Sequence, residues 1–351
     1  MTSGTGRASR LGAIEGLRGL AAVGIVVLHA WILSGKPTDL LPAGVWGPLR
    51  MAVPLFFVLS AYFAARPWLR AALDGAEPPA AGPLLRRRFA RILPLFWLTG
   101  LVALGVLAGT GSSAMPDLPE AVAYALMLHD WVPAGAAGVL NPPTWTLPIE
   151  LSFALALPLI GWLLVRGGRR GRGGALAVAA GLWLAGIAYD VWFQETGQET
   201  VWARTLMLML PAFAAGIGAA VLTYERRIAP RTAWALQAGG AALFLWYLAG
   251  PLGHLQHDLG YRDLIPGIAF AAIIAGMAAH PPPVLGSRPM VWLGGRSFGL
   301  YLWHFPVLFL LSERIGWPGQ GWATLIALTA GLLLAELSWR LVEQPVADRV
   351  R

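Results

Sequence analysis

The chain has 351 residues, 57% of them hydrophobic and only 13% charged, with a mean hydropathy of +0.61. Spread over repeated apolar stretches, that balance excludes an ordinary soluble domain and describes an all-α, polytopic membrane helical bundle. Without cysteine there is no disulfide framework, thiolate nucleophile or thiolate metal site, and the formal net charge of +8 is largely a topology signal.

A membrane-length window predicts about ten spans, at 14–34, 46–66, 89–109, 144–165, 174–193, 203–223, 231–249, 262–280, 291–311 and 322–342. Basic residues precede the first, as in a signal peptide. No small-x-small cleavage site follows and many spans do, so it is read as a retained helix. This span, EGLRGLAAVGIVVLHAW, carries Glu15, Arg18 and His29. Charged and titratable groups are costly in a bilayer core and mark a functional site by default. Arg18 and His29 are 11 residues apart, three helical turns plus about 20°, so they share one face about 16 Å apart along the axis.

In the second span, Ser60 and Tyr62 can join helices or touch a substrate, the former being the commoner role. The third opens on RRRFARILPLFW, where Arg88 and Arg91 lie three residues apart on one face. With Arg18, Arg66, Arg70, Arg86 and Arg87 at the same inner level, they form a cluster able to hold several phosphates. Lipid headgroups and topology explain Arg86 and Arg87 better; Arg88 and Arg91 are the ligand candidates. The stretch 119–130, PEAVAYALMLHD, is too short and polar to cross and reads as a re-entrant or interfacial helix. Glu150 falls in the fourth span and His304 in the ninth. His129 with Asp130, and His254 with His257 and Asp258, are placed in outer loops, where solvated polarity accounts for them and the spacing specifies no metal. The basic run at 166–174, RGGRRGRGG, reads as a short cytoplasmic turn rather than a nucleic-acid site. Short loops and the lack of a repeat predict a single integral-membrane domain over 1–351, with no separate soluble domain.

Most arginines fall at alternate span ends, leaving only Lys36, Arg50, Arg204, Arg262 and Arg314 on the other side; this predicts both termini in the cytoplasm. On that topology His29, Glu150 and His304 all lie roughly 7 to 11 Å below the outer boundary. If they face one cavity they form an acid/base site, since imidazoles move protons near neutral pH and a carboxylate can orient them. No Gly-rich phosphate loop, nucleophile elbow or zinc signature is present.

The order and spacing of these motifs resemble the acyltransferase-3 family of bacterial integral-membrane O-acyltransferases. The similarity rests on EGLRGLAAVGIVVLH at 15–29, VPLFFVLSAYF at 53–63, RRRFARILPLFW at 86–97, WTLPIELSF at 145–153, GGRSFGLYLWHFPV at 294–307 and ELSWRLVEQP at 336–345. In that family the arginine and histidine separated by ten residues correspond to Arg18 and His29, the Arg-x-x-Arg element to Arg88 and Arg91, and the carboxylate after Trp-[Ser/Thr]-Leu to Glu150. The chain departs in having Ala61 where many members have Gly, Pro54 where many have Asp, and no appended extracytoplasmic hydrolase-like domain.

The resemblance implies a multi-pass protein of the bacterial cytoplasmic membrane. It would transfer an acyl group, often acetyl, from cytoplasmic acyl-CoA to a hydroxyl of a carbohydrate or glycosylated acceptor, with no metal. The helix geometry suits that donor, whose phosphates and thioester lie at opposite ends of a long arm. Arg18, Arg88 and Arg91 would hold the donor, His29 would deprotonate the acceptor or relay the acyl group, Glu150 would orient the imidazole or the sugar, and His304 would join them. The alternative is a transporter or flippase for an anionic or glycosylated solute, which would use the same polar residues for binding. A more distant one is a structural membrane subunit.

Overall fold

The computed structural model describes residues 3–36, 47–112, 115–131, 140–196, 204–249 and 264–350, and every element among them is helical. In chain order they are α1 (Ser3–Leu33), α2 (Ala52–Asp74), α3 (Ala81–Thr110), α4 (Leu118–Ala125), α5 (Thr146–Gly168), α6 (Arg172–Thr196), α7 (Leu206–Thr223), α8 (Pro230–Leu248), α9 (Leu264–Ala279), α10 (Arg288–Leu310), α11 (Gln320–Ser338) and α12 (Gln344–Arg349). Short 3-10 turns at Gly47–Met51, His129–Trp131 and Pro142–Trp145 and π turns at Leu311–Ile315 and Trp339–Glu343 join or extend them. Each expected span overlaps a helix among the described residues. Among the described residues, seven helical stretches are long and apolar enough to cross a membrane: Gly12–Leu33, Pro48–Asp74, Ala81–Thr110, Pro142–Gly168, Arg172–Thr196, Leu206–Thr223 and Gln320–Arg349; Leu264–Ala279 is shorter. The segment holding His254, His257 and Asp258 lies outside the described residues.

Helix ends differ from the apolar windows in a consistent way. The second helix continues to Asp74 and the third begins at Ala81, so Arg66, Arg70, Arg86, Arg87, Arg88 and Arg91 are all helical. Arginine is a good helix former, and a window tuned to hydrocarbon stops where charge begins.

The chain folds as two compact units. The first comprises Met1–Arg18, Val53–Leu84 and Ser152–Val291. Its core holds a stack of Phe57, Phe213 and Phe153, with ring centroids 4.8 and 4.1 Å apart. A side chain at Gly216 would collide with the Val58 carbonyl, so α7 and α2 meet backbone to backbone, as small residues permit in membrane helices. Tyr62, buried, hydrogen-bonds Thr223 Oγ1 at 3.2 Å and accepts from Arg66 Nη1 at 3.1 Å. Arg66 also lies over the Tyr62 and Tyr224 rings. Beyond the end of α7, Tyr224 donates to Asp74 Oδ2 at 2.5 Å; burial and then the adjoining carboxylate push its phenol up to about 12, so it remains a donor at neutral pH. Tyr62 and Arg66 are therefore committed to joining elements of this unit.

The second unit comprises Gly19–Ala52, Leu85–Leu151 and Trp292–Arg351. It holds about half of α1, most of α3, α4, the start of α5, most of α10, and α11 with α12. A side chain at Gly19 would strike the backbone of Leu293 and Gly294, so α1 and α10 touch there without intervening side chains. Further along, Gly299 packs on Ala335 of α11. Arg296 donates to Glu336 at 2.6 Å and stacks on Trp339 at 3.8 Å, fastening α10 to the π turn after α11.

Candidate active site

Ten residues beyond the Gly19–Gly294 contact, α1 presents His29 and α10 presents His304. Equal residue counts on two helices running the same way give equal rise, about 15 Å at 1.5 Å per residue, and the two imidazoles meet. His29 Nδ1 lies 2.8 Å from His304 Nε2, the rings stacked with centroids 5.0 Å apart, and Phe305 covers His29 edge-on. His304 is fully buried while His29 is half-buried.

The backbone determines where the protons sit. His304 Nδ1 is 3.2 Å from the Leu300 carbonyl, which can only accept, so that nitrogen carries hydrogen. In a neutral ring Nε2 is then an acceptor, His29 Nδ1 must donate to it, and the lone pair of His29 is left on Nε2. The arrangement is a base whose far nitrogen is oriented by a second, buried imidazole.

Glu150 belongs to the same unit. Arg88 Nη1 donates to Glu150 Oε1 at 3.1 Å, and the two side chains are equally buried, at 21% exposure each. The expected depths set the carboxylate with the imidazoles and the guanidinium at the inner surface; the pair brings the two groups within reach of each other. Arg88 lies two turns inside α3 and Glu150 one turn inside α5, and two long side chains close the remaining gap. It is His304, not a carboxylate, that engages His29 Nδ1. Arg91, one turn beyond Arg88, is exposed. Arg18 pairs with Glu15 at 3.1 Å along α1 and falls in the first unit.

The entry to α5 ties these groups together. Pro306 has no N–H, so the Leu302 carbonyl four residues earlier loses its helical donor. Asn141 Nδ2 replaces it at 3.0 Å. Beside it Tyr301 donates to the Pro143 carbonyl and lies 2.9 Å from Thr146 Oγ1. The turn Asn141–Thr146 is thus fastened to α10 immediately before His304, and Glu150 follows one turn later.

His129 and Asp130 do not sit in a solvated loop. They are 1% and 2% exposed. His129 packs on Tyr124 and Phe96 at centroid distances of 4.9 and 6.0 Å. The turn into them passes through Met127, a buried non-glycine residue at φ 58°, in the left-handed region that costs about 1 to 2 kcal/mol for an L-residue. A polar pair after a short amphipathic helix reads as loop by pattern; only this turn directs it inward. No group of three or more metal-ligating side chains occurs among the described residues.

Residues 11–338 match the family model described as an acyltransferase domain, acyltransferase-3. Among characterised proteins the chain is 27% identical to nodulation protein 10 of Rhizobium leguminosarum bv. viciae, over 94% of this chain and 91% of that protein. It is 23% identical to the peptidoglycan O-acetyltransferase OatA of Listeria monocytogenes, over 95% of this chain and 55% of that protein. With the O-acetyltransferase OatA of Staphylococcus aureus the figures are 24%, 96% and 57%, so the chain spans little more than half the length of either OatA. No solved structure matches the chain.

Proposed function

We propose, for a chain that belongs to the acyltransferase-3 family, that it is a membrane-embedded O-acyltransferase moving an acyl group, acetyl in the first instance, from cytoplasmic acyl-CoA to a hydroxyl of a carbohydrate or glycosylated acceptor. On this reading all ten apolar segments cross the bacterial cytoplasmic membrane and both termini face the cytoplasm, in keeping with the arginine bias. The observation that carries the chemistry is the His29–His304 hydrogen bond with its fixed proton order.

The acceptor O–H gives its proton to His29 Nε2 as its oxygen attacks the thioester carbonyl carbon. His304 holds the ring and shares the charge of the imidazolium. When the C–S bond breaks, the departing thiolate takes the proton back, releasing CoA as thiol and restoring the base. Transfer of the acyl group to His29 first is the relay form of the same scheme. Arg88 and Arg91 bind the phosphates of the donor. A guanidinium has five N–H donors, so holding Glu150 with one is compatible with holding a phosphate by others, and Glu150 serves to aim Arg88.

The test is turnover by the purified protein in liposomes with acetyl-CoA and glycan acceptors, read by mass spectrometry. His29→Ala lowers transfer on the order of 10²- to 10⁴-fold while acyl-CoA still binds. Wild-type turnover by folded His29→Ala protein overturns the catalytic assignment. Vectorial movement of unmodified solute, without thioester turnover, favours a transporter instead.

A further inference from the structure

The carboxylate that fastens α10 to the π turn after α11 is shared by two arginines. Arg296 Nε donates to Glu336 Oε2 and Arg340 Nε to Glu336 Oε1, each at 2.6 Å. A guanidinium has five N–H groups and each of these spends one, so both terminal forks carry no hydrogen bond among the described residues. The Arg296 fork is fixed in place: its guanidinium carbon stands 3.8 Å from the Trp339 ring centre and 5.7 Å from that of Trp292. A fork already held on two sides loses little further freedom when it meets an oxyanion. Arg340 lies in the π turn Trp339–Glu343, a rare helical form that is frequent at functional sites. Fastening two helices needs only the Arg296 pair. It does not account for Arg340, whose side chain is 68% exposed against 13% for Arg296, because an exposed ion pair adds little stability.

Two guanidiniums and one carboxylate leave one net positive charge, the complement of a single phosphate diester. The surroundings say which kind of phosphate. Arg340 is flanked on its helix by Leu337 and Leu341, both exposed, and Trp292 is exposed beside Arg296. Exposed leucines of a membrane helix lie against acyl chains, whereas tryptophan and arginine sit at the headgroup level. A soluble phosphate makes no use of the leucines; a phospholipid has a part for each. We propose that Arg296 and Arg340 form a binding site for the phosphate of an anionic phospholipid, whose acyl chains lie along Leu337 and Leu341. On the topology given by the arginine bias this is the cytoplasmic leaflet. A zwitterionic lipid fits less well, because its own ammonium competes with the guanidiniums for the phosphate. The site does not depend on the acyl-transfer reading and uses none of its residues.

The test uses the full-length protein in detergent micelles, with native mass spectrometry following bound lipid in titrations of phosphatidylglycerol and phosphatidylcholine of matched acyl chains. Wild type holds phosphatidylglycerol about tenfold more tightly than phosphatidylcholine. Arg340→Ala removes an exposed side chain; it weakens phosphatidylglycerol binding about three- to tenfold and leaves the lipid-free unfolding midpoint unchanged. Arg340→Lys recovers only part of the loss, because an ammonium keeps the charge but not the fork. Arg231→Ala, which removes another exposed arginine, in α8, binds as wild type does. Phosphatidylglycerol also raises the unfolding midpoint of wild type more than that of Arg340→Ala, since a ligand stabilises the state it binds. Equal losses in Arg340→Ala and Arg231→Ala mark general attraction to a basic surface and overturn the site, as does equal binding of the two lipids by wild type. Displacement of phosphatidylglycerol by inorganic phosphate or CoA, each as effective as a second anionic lipid, makes this a site for soluble phosphates and overturns the lipid assignment.

Discussion

His304 contributes by what its Nε2 accepts. Its Nδ1 is engaged by the Leu300 carbonyl, so Nε2 is the one nitrogen that can orient His29. His304→Ala is expected to lower kcat about 10- to 100-fold, and His304→Gln, whose side-chain oxygen can reach the Nε2 position, to recover part of that loss with little change in donor KM. Steady-state kinetics on the three proteins check this; equal activity of the Ala and Gln variants would show that packing, not the hydrogen bond, matters. At the ion pair, Arg88→Ala and Glu150→Ala should be less than additive in acyl-CoA affinity, with a coupling energy on the order of 1 kcal/mol, as befits partly exposed groups. Calorimetric titration of the double-mutant cycle measures it. Histidines and carboxylates inside apolar runs were conspicuous in the sequence because the bilayer makes them costly. Their partners were not, since which imidazole meets which group depends on the relative phase of two helices 275 residues apart. Asn141 went unnoticed because an amide before two prolines reads as turn chemistry; the one available signal was Pro306, four residues after the carbonyl that the amide caps.

Among the elements, α10 is the organiser of the second unit. It touches α1 at Gly294, α11 at Gly299 and the entry of α5 through Tyr301 and Leu302. Two consequences are measurable. Gly19→Val drives a branched side chain into the Leu293–Gly294 backbone; it should destabilise the protein by about 1 to 3 kcal/mol and separate the imidazoles, lowering both the unfolding midpoint in detergent and turnover. Pro306→Ala restores a backbone donor to the Leu302 carbonyl, which then competes with Asn141 for it. Turnover should fall while the protein stays folded, because the turn before α5 is held less firmly to α10, and the acyl-transfer assay with circular dichroism separates the two effects. Apolar stretches were legible as helices, though not at their ends, because hydrocarbon burial needs little more than composition. Helix ends, where arginine continues the helix past the apolar window, and the inward turn at Met127 that buries His129 and Asp130, depend on local backbone energies that hydropathy does not register.

Over the whole molecule, positive charge is abundant, and specific phosphate binding has to be distinguished from general attraction. Arg88→Ala with Arg91→Ala should weaken acyl-CoA binding strongly, whereas Arg169→Ala with Arg170→Ala, which removes two exposed arginines between α5 and α6, should not. Binding isotherms at low and physiological salt decide it; equal losses in both double variants would mark a nonspecific basic surface.

The equal ten-residue intervals from Gly19 to His29 and from Gly294 to His304 also make α1 and α10 two rulers read from a common zero. One residue inserted in either interval turns its imidazole by about 100° and lifts it about 1.5 Å, so the marks no longer coincide. Adding the same single residue to both rulers does not realign them, because each ring swings away about its own axis. Seven residues added to both bring the faces back to within about 20° while carrying the pair two turns deeper, about 10 Å. Chain length between glycine and histidine is therefore a calibrated distance, and short insertions should be tolerated on the far side of either histidine long before they are tolerated between the marks.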